Sequence, residues 1–501
     1  MSSKSNETKK LSLMALILMI FTSVYGFNNM PRSFYLMGYG SIPFYIISAI
    51  IFFIPFAFMI AEYGAAFKSE KGGIFSWMEK SVGIRYAFIA TFMWYTSQII
   101  WMLNVSSGIW IPFSNAIYGK DKTNTWSLFG LDSVKTLGIL AIILIIVITF
   151  VSTKGLDKIK KITSIGGTAV ALLNILLFVG AILVLIGNHG ELAQPIESMR
   201  SFIDSPNPSY LTPISMLSFL VYAIFAYGGI EVVGGLVDET ENPEKNFPKG
   251  IAVSAIIIAI GYAIGLFCIG VFTNWDATLS GETVNKANVS YVIMNNLGYQ
   301  IGAAFGASEA VAIQMGNWVA RFVGLSLLLC LTGAFFTMSY APLKQLIEGC
   351  PEGLLPKKIC EFKDGMPINA MIVQAVIVII MIACVSFGGS KMNKFFDILV
   401  AMTNVSMTIP YMFLSGAFIA FKRKKEIDKP FSIFNKNGLI VFFTVIVTFT
   451  VGFANFFSII EPAINGDWVT TIASVAGPIV FTLIALILHS RYERNKKLGK
   501  L

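Results

Sequence analysis

Apolar stretches as long as a bilayer is thick recur from one end of this 501-residue sequence to the other. Only 13% of the residues are charged and 55% are hydrophobic, whereas a soluble chain carries roughly 25% charged residues. No water-soluble core could hide that much apolar surface. The chain is therefore read as an all-α polytopic membrane protein embedded in a lipid bilayer. The runs predict twelve spans, at about 11–38, 42–66, 86–117, 133–152, 160–187, 213–236, 249–273, 317–346, 367–387, 393–421, 437–459 and 468–490.

Charge fixes the expected orientation. With both termini inside, the inner segments hold 28 of the 37 Lys and Arg and the outer loops hold 6, leaving Lys135, Arg32 and Arg321. This bias places both termini in the cytoplasm and the protein in the cytoplasmic membrane. It also accounts for the net charge of +9 without a nucleic acid partner. The outer segment 274–316 contains a mainly apolar stretch from Tyr291 to Ile313. A thirteenth span there would invert the later loops and put Lys357, Lys358 and Lys422–Lys425 on the wrong side, so a surface or interfacial helix is expected. No signal peptide is expected, because the first run is longer than an h-region and lacks a small-residue cleavage site. No repeat of 20–50 residues and no soluble domain is visible. The five Cys show no metal spacing, and Cys350 and Cys360 share an inner loop where thiols stay reduced. His189 and His489 sit at the ends of apolar runs, so a membrane-embedded enzyme has no histidine to work with. No cofactor is expected.

Two spans are interrupted. The first carries Ser23-Val-Tyr-Gly-Phe-Asn-Asn-Met-Pro31, and the sixth carries Phe225-Ala-Tyr-Gly-Gly-Ile-Glu231. Asn is costly in hydrocarbon, and Pro lacks an N–H and clashes with the preceding turn. Gly228 and Gly229 each weaken a helix by about 1 kcal/mol relative to Ala. Such breaks are either packing devices or the halves of a binding site, and paired breaks five spans apart favour a site. The outer half of span one would present N–H groups and a positive dipole end to a carboxylate. Exposed carbonyls at the ends of the other half-helices would take an ammonium. An α-amino acid carries both groups. Tyr25, Asn28, Asn29 and Tyr227 add hydrogen-bonding side chains.

Two acids lie within spans. Glu231 follows the second break, and an intramembrane acid is a candidate for proton coupling or gating. The alternative for Glu231 is a hydrogen-bonded packing acid. Glu62, near the inner end of span two, is either functional or a partner for a loop Lys or backbone amide. Asp397 reads as interfacial. Arg321 is either a vestibule charge or a snorkelling side chain, and Arg32 lies beside the break where it could favour an anionic substrate. Trp101 sits near the expected mid-depth of span three.

Four features together resemble the amino acid–polyamine–organocation transporter superfamily. They are the broken first span; Glu70-Lys-Gly-Gly-Ile-Phe-Ser-Trp77 followed by Gly83; Gly229-Ile-Glu231 with Asp238-Glu-Thr-Glu-Asn-Pro243 and Phe247-Pro248; and Pro342-Leu-Lys344 leading to Gly353-Leu-Leu-Pro356. Within it the sequence looks closest to the glutamate/γ-aminobutyrate antiporter branch and its YjeM-like group. The resemblance implies a LeuT-like 5+5 inverted repeat, 1–187 and 213–421, plus two additional helices at 437–490. It implies alternating access around a central site at Ser23, Tyr25, Gly26, Asn28, Asn29, Met30, Tyr227, Gly228 and Gly229, with Trp101, Ser339, Asn404 and Tyr411 from spans three, eight and ten. The antiporter has Tyr-Glu-Tyr-Pro where this chain has Asn28-Asn-Met-Pro31, so glutamate specificity does not transfer. It also has a long C-terminal plug, whereas this sequence ends at Leu501, so gating by a tail is not expected. The motif arginine after span eight is Lys344, and Ala169 and Val170 stand where some proton-coupled relatives have a lysine in span five. The expectation is a secondary transporter of an amino acid or related amine that works by exchange. Proton- or sodium-coupled symport is the alternative mechanism, and a non-transporting sensor the alternative class. A homo-oligomer stays open.

Overall fold

Backbone N–H and C=O groups find no partner in hydrocarbon, so a crossing segment must satisfy them within its own helix. The computed structural model describes residues 10–500, except for the side chains of 390, 391, 393 and 396, and helices carry the chain throughout. Lys4 and Lys9 of the charge count lie outside the described residues. Among the described residues ten helical runs are long and apolar enough to cross a membrane. The first, Leu13–Ala66, has 54 residues, about 80 Å of helix and more than twice the hydrocarbon thickness. A tight turn at Gly38–Gly40 divides it into spans one and two. Ile84–Gly108, 25 residues, adds span three, and the total is twelve.

Element ends differ from expectation where glycine and proline act. Span three ends at Gly108 and continues as a separate helix, Trp110–Tyr118. Span ten is two helices, Gly389–Ser406 and Ile409–Arg423, because Pro410 suits the first turn of a helix and not its interior. Span eight runs Glu309–Gly349, 41 residues, and so begins about two turns before the expected 317. Its extra turns pack on the helix Val289–Ala304, within the segment expected to be interfacial. That helix has 16 residues, about 24 Å, too short to cross. Its Gly298 lies against the backbone of Met315 and Gly316, and a Cβ there would come within 2.7 Å of the Met315 carbonyl. The two helices form a hairpin and the chain returns to the same side, so no thirteenth crossing occurs.

With twelve crossings Lys10 and Lys500, the first and last described residues, lie at one end of the bundle, here called the terminal end. There Leu11 donates to the Glu239 carbonyl at 2.7 Å and accepts from Glu241 N–H at 2.9 Å. These bonds tie the start of span one to the loop after span six. The Lys344 ammonium, 2% exposed, meets Asp238 at 2.8 Å and Glu239 at 3.3 Å. Burial pushes the Asp238 carboxyl above its ordinary range, while Lys344 pulls it the other way.

Candidate functional site

The first break comes from Tyr25 to Asn28, between helices Leu13–Val24 and Asn29–Met37. Pro31 does not make it. Pro31 lies in the first turn of the second helix, where a missing N–H costs nothing. The second break follows Pro213–Phe225 and resumes as a tight helical turn, Ile230–Leu236. Gly229 has φ +110, and a Cβ on it would lie 2.5 Å from the Ser23 carbonyl oxygen. Glycine is thus required twice over, for the dihedral and for the contact that joins the two breaks.

The groups freed by both breaks converge on one side chain, Tyr262 of span seven (Pro243–Phe272). Gly26 N–H donates to its hydroxyl at 3.0 Å, and Asn29 Nδ2 donates at 3.2 Å. The hydroxyl donates to the Ala226 carbonyl at 3.3 Å. One neutral group therefore answers a donor of break one and an acceptor of break six. Around it Tyr222 donates to Asn29 Oδ1 at 3.2 Å. Tyr25 donates to Asn174 Oδ1 of span five at 2.8 Å, and its ring lies 4.7 Å from that of Tyr262. Tyr227 stacks on Phe53 and donates to the Tyr45 carbonyl. Met30 is fully buried and packs on Gly265.

Glu231 is 1% exposed. Trp94 Nε1 and the Tyr411 hydroxyl each donate to Oε1 at 3.0 Å, and Gly229 N–H donates to Oε2 at 3.2 Å. Among the described residues no cation pairs with it. Spans three, six and ten are thereby pinned together just past the break. Toward the terminal end the burial is complete, since every residue from Ile230 to Leu236 is buried. Gln345 bridges this turn to the first loop, donating to the Val232 carbonyl at 2.9 Å and accepting from Ile74 N–H at 2.9 Å. Gly73 makes room for this contact, while Gly72 lies against Gly349. Gly73 has φ +50, and a Cβ there would lie 2.7 Å from the Gly234 backbone. At the breaks themselves Gly26, Asn28, Asn29, Ala226 and Gly228 are half-buried, as is Ser23 in the last turn of the terminal half of span one. The turn that follows break six thus closes the site toward the terminal end.

The remaining candidates fall elsewhere. Trp101 is half-buried, and Trp94, two turns away on the same helix, is the tryptophan that reaches Glu231. Ser339 bonds Ser152 of span four at 3.0 Å and takes no part in the breaks. Asn404 is exposed. Arg321 lies over the Trp318 ring and beside Gly119. Arg32 Nε donates to the Lys286 carbonyl at 2.8 Å. Glu62 is saturated, with Lys422 at 2.7 Å and the N–H groups of Ile433 and Phe434 at 2.7 and 2.9 Å. It has the structural partners weighed from the sequence, a loop-side Lys and backbone amides. Tyr262, Asn174 and Trp94 were missed. Each is a hydrogen-bonding residue inside an apolar span, and that was the available signal.

Comparison with known proteins agrees with this architecture. The amino acid permease family model matches residues 11–484. The chain is 50% identical over 486 residues to the inner membrane transporter YjeM of Escherichia coli, covering 97% of this chain and 96% of that protein. It is 24% identical over 504 residues to the aspartate/glutamate permease AcaP of Lactococcus lactis, covering 98% and 97%. It is 24% identical over 467 residues to a glutamate/γ-aminobutyrate antiporter of Lactococcus lactis, covering 91% and 85%. A broken pair of helices inside a twelve-span bundle and a family match over nearly the whole chain lead to one conclusion: this chain belongs to the amino acid permease family of membrane transporters.

Proposed function

We propose that the protein is a secondary active transporter that exchanges amino acids or related amines across the cytoplasmic membrane by alternating access. The observation that carries this is the Tyr262 hydroxyl, held between Gly26 N–H of one break and the Ala226 carbonyl of the other. A substrate carboxylate suits the first partner and its ammonium suits the second. The charge bias supports a cytoplasmic terminal end, which would put the buried turn Ile230–Leu236 on the inner side of the breaks. Spans one to five and six to ten would then be inverted repeats, 1–187 and 213–421, with 437–490 added to them. Glu231, with Trp94 and Tyr411, would part when the inner path opens. Exchange is supported by the antiporter among the relatives and by an uncharged Asn174 beside break one in span five. The buried Glu231 supports proton-coupled uptake as the second reading.

The test is counterflow in proteoliposomes with a panel of labelled amino acids and amines, with and without a pH gradient. Exchange predicts uptake that needs internal substrate and no gradient. Uptake into empty vesicles driven by a proton or sodium gradient would establish symport instead. No uptake of any amino acid or amine would refute transport.

A further inference from the structure

Gln98 of span three is 1% exposed, and neither its Oε1 nor its Nε2 has a hydrogen-bond partner. Among the described residues it is the one buried side chain with two unpartnered polar atoms. A buried amide left unpaired at both ends loses its hydration for nothing, so native interiors keep such groups where they serve a ligand.

The direction in which Gln98 points follows from its helix. Trp94 lies one turn before it on the same face and reaches Glu231 at 3.0 Å. Met93 and Ile100 occupy another face and pack on Phe481 of span twelve. Tyr95 turns to Gln374 of span nine. Gln98 therefore lies about 40° around the helix from Trp94 and about 60° from Tyr95, between the face that meets the sixth-span break and the face that meets span nine, and a turn further from the terminal end than Trp94. A second buried atom without a partner, Asn28 Oδ1, belongs to the first break.

Charge narrows the ligand further. The side chains bonded at the two breaks are tyrosines, asparagines and a tryptophan, and Glu231 is the single ionisable carboxyl among them. A substrate with a second carboxylate would bring another anion beside Glu231 with no buried cation to meet it. Arg32, the nearest cation, lies one turn beyond the break, with its Nε engaged by the Lys286 carbonyl and its side chain also hydrogen-bonded to Tyr222. A cationic side chain would have to share the Glu231 carboxylate with the three donors that already hold it. What remains unmet is one amide carbonyl, one amide NH2 and the Asn28 oxygen.

We infer that the site selects a neutral amino acid whose side chain carries an amide or a hydroxyl, and that Gln98 is the specificity-determining residue that reads it. This rests on the transport reading above and names the substrate class of that same site. An amide side chain would donate to Gln98 Oε1 and accept from Nε2, and a hydroxyl would do either. Polar readout of this kind discriminates well, because an apolar analogue leaves the buried amide unpaired.

The experiment is counterflow competition with the purified full-length protein in proteoliposomes. The competitors are asparagine, glutamine, serine and threonine against leucine, methionine, aspartate, glutamate, lysine and arginine. The neutral polar group is expected to compete at least about tenfold better than the apolar group, equivalent to about 1.4 kcal/mol. Gln98→Leu is expected to erase that ratio by weakening the polar competitors while keeping or improving methionine and leucine. Gln98→Met repeats the test should Gln98→Leu fail to fold, and the wild-type panel decides the substrate class by itself. Preference for aspartate, glutamate, lysine or arginine would overturn the inference and leave the transport reading standing. So would a Gln98 variant with unchanged selectivity. Absence of all uptake would overturn both.

Discussion

Joining the two breaks depends on Gly229, and Gly229→Ala tests whether that contact matters. Two separate costs apply. At φ +110 an L side chain meets its own backbone, and a left-handed residue costs roughly 1–2 kcal/mol. The new Cβ would also lie 2.5 Å from the Ser23 carbonyl oxygen, inside any normal contact, and overpacking of this kind costs roughly 1–3 kcal/mol. Together they make about 2–5 kcal/mol. Gly466→Ala separates them, because Gly466 has φ +81 and nothing within 4 Å of its Cβ position. It should lose only the backbone part. Gly228→Ala is milder again, with the Tyr411 hydroxyl at 3.1 Å and no left-handed φ. The assay is thermal melting of the detergent-solubilised protein followed by size exclusion, paired with counterflow of the same preparations. Gly229→Ala should melt well below Gly466→Ala and lose transport, whereas Gly466→Ala should transport near the wild-type rate. If the two variants melt together and both transport, the breaks do not need to touch and the site as built here is wrong.

Four other substitutions probe separate parts of the structure. Tyr262→Phe removes the hydroxyl that a substrate has to displace, so substrate KM should fall by roughly five- to tenfold, about 1–1.4 kcal/mol; a rise of similar size would mean the hydroxyl binds the substrate directly. Glu62→Gln leaves the Lys422 ammonium, 6% exposed, without its anion and should cost about 3–5 kcal/mol, with Lys422→Met added to it restoring much of the loss; melting curves of the two single variants and the double decide this. Glu231→Gln keeps an acceptor for Trp94 and Tyr411 but sets an NH2 against Gly229 N–H. If Glu231 exchanges a proton in the cycle, this variant should change the pH profile of transport more than KM, and a wild-type profile would rule that role out. Lys344→Met removes the ion pairs to Asp238 and Glu239, so Ser23→Cys should become faster to label with a charged maleimide from the cytoplasmic side; an unchanged rate would show that the seal lies elsewhere.

The twelve spans were legible because hydropathy is summed over about twenty residues, and no single side chain can spoil the sum. The two breaks were legible because glycine and asparagine have few reasons to cluster at mid-depth. Depth along a helix was less secure. The expected span 86–117 has its centre at Trp101, but the helix runs Ile84–Gly108 and then restarts at Trp110. Its true centre is nearer 96. Trp94, the tryptophan that reaches Glu231, lies two turns and about 10 Å from Trp101. The role of Glu62 was legible only as a choice, since its partner Lys422 is 360 positions distant.

Tyr262 carried a signal, as a hydrogen-bonding residue in an apolar span, but not one that says what it meets. A break reveals which backbone donors and acceptors are freed, but not which side chain on an intact neighbour turns to meet them. Span seven has no interruption at Tyr262, and a tyrosine there reads as one more apolar residue. Asn174 and Gln98 are likewise polar residues on unbroken helices, and their spacing does not say which neighbour they meet. Their azimuth is set by packing on the far face, as Met93 and Ile100 against Phe481 set that of Gln98. Backbone chemistry at the breaks is shared by any carrier that must hold a carboxylate and an ammonium. Discrimination among amino acids therefore has to come from side chains on the unbroken spans, where the sequence marks them least.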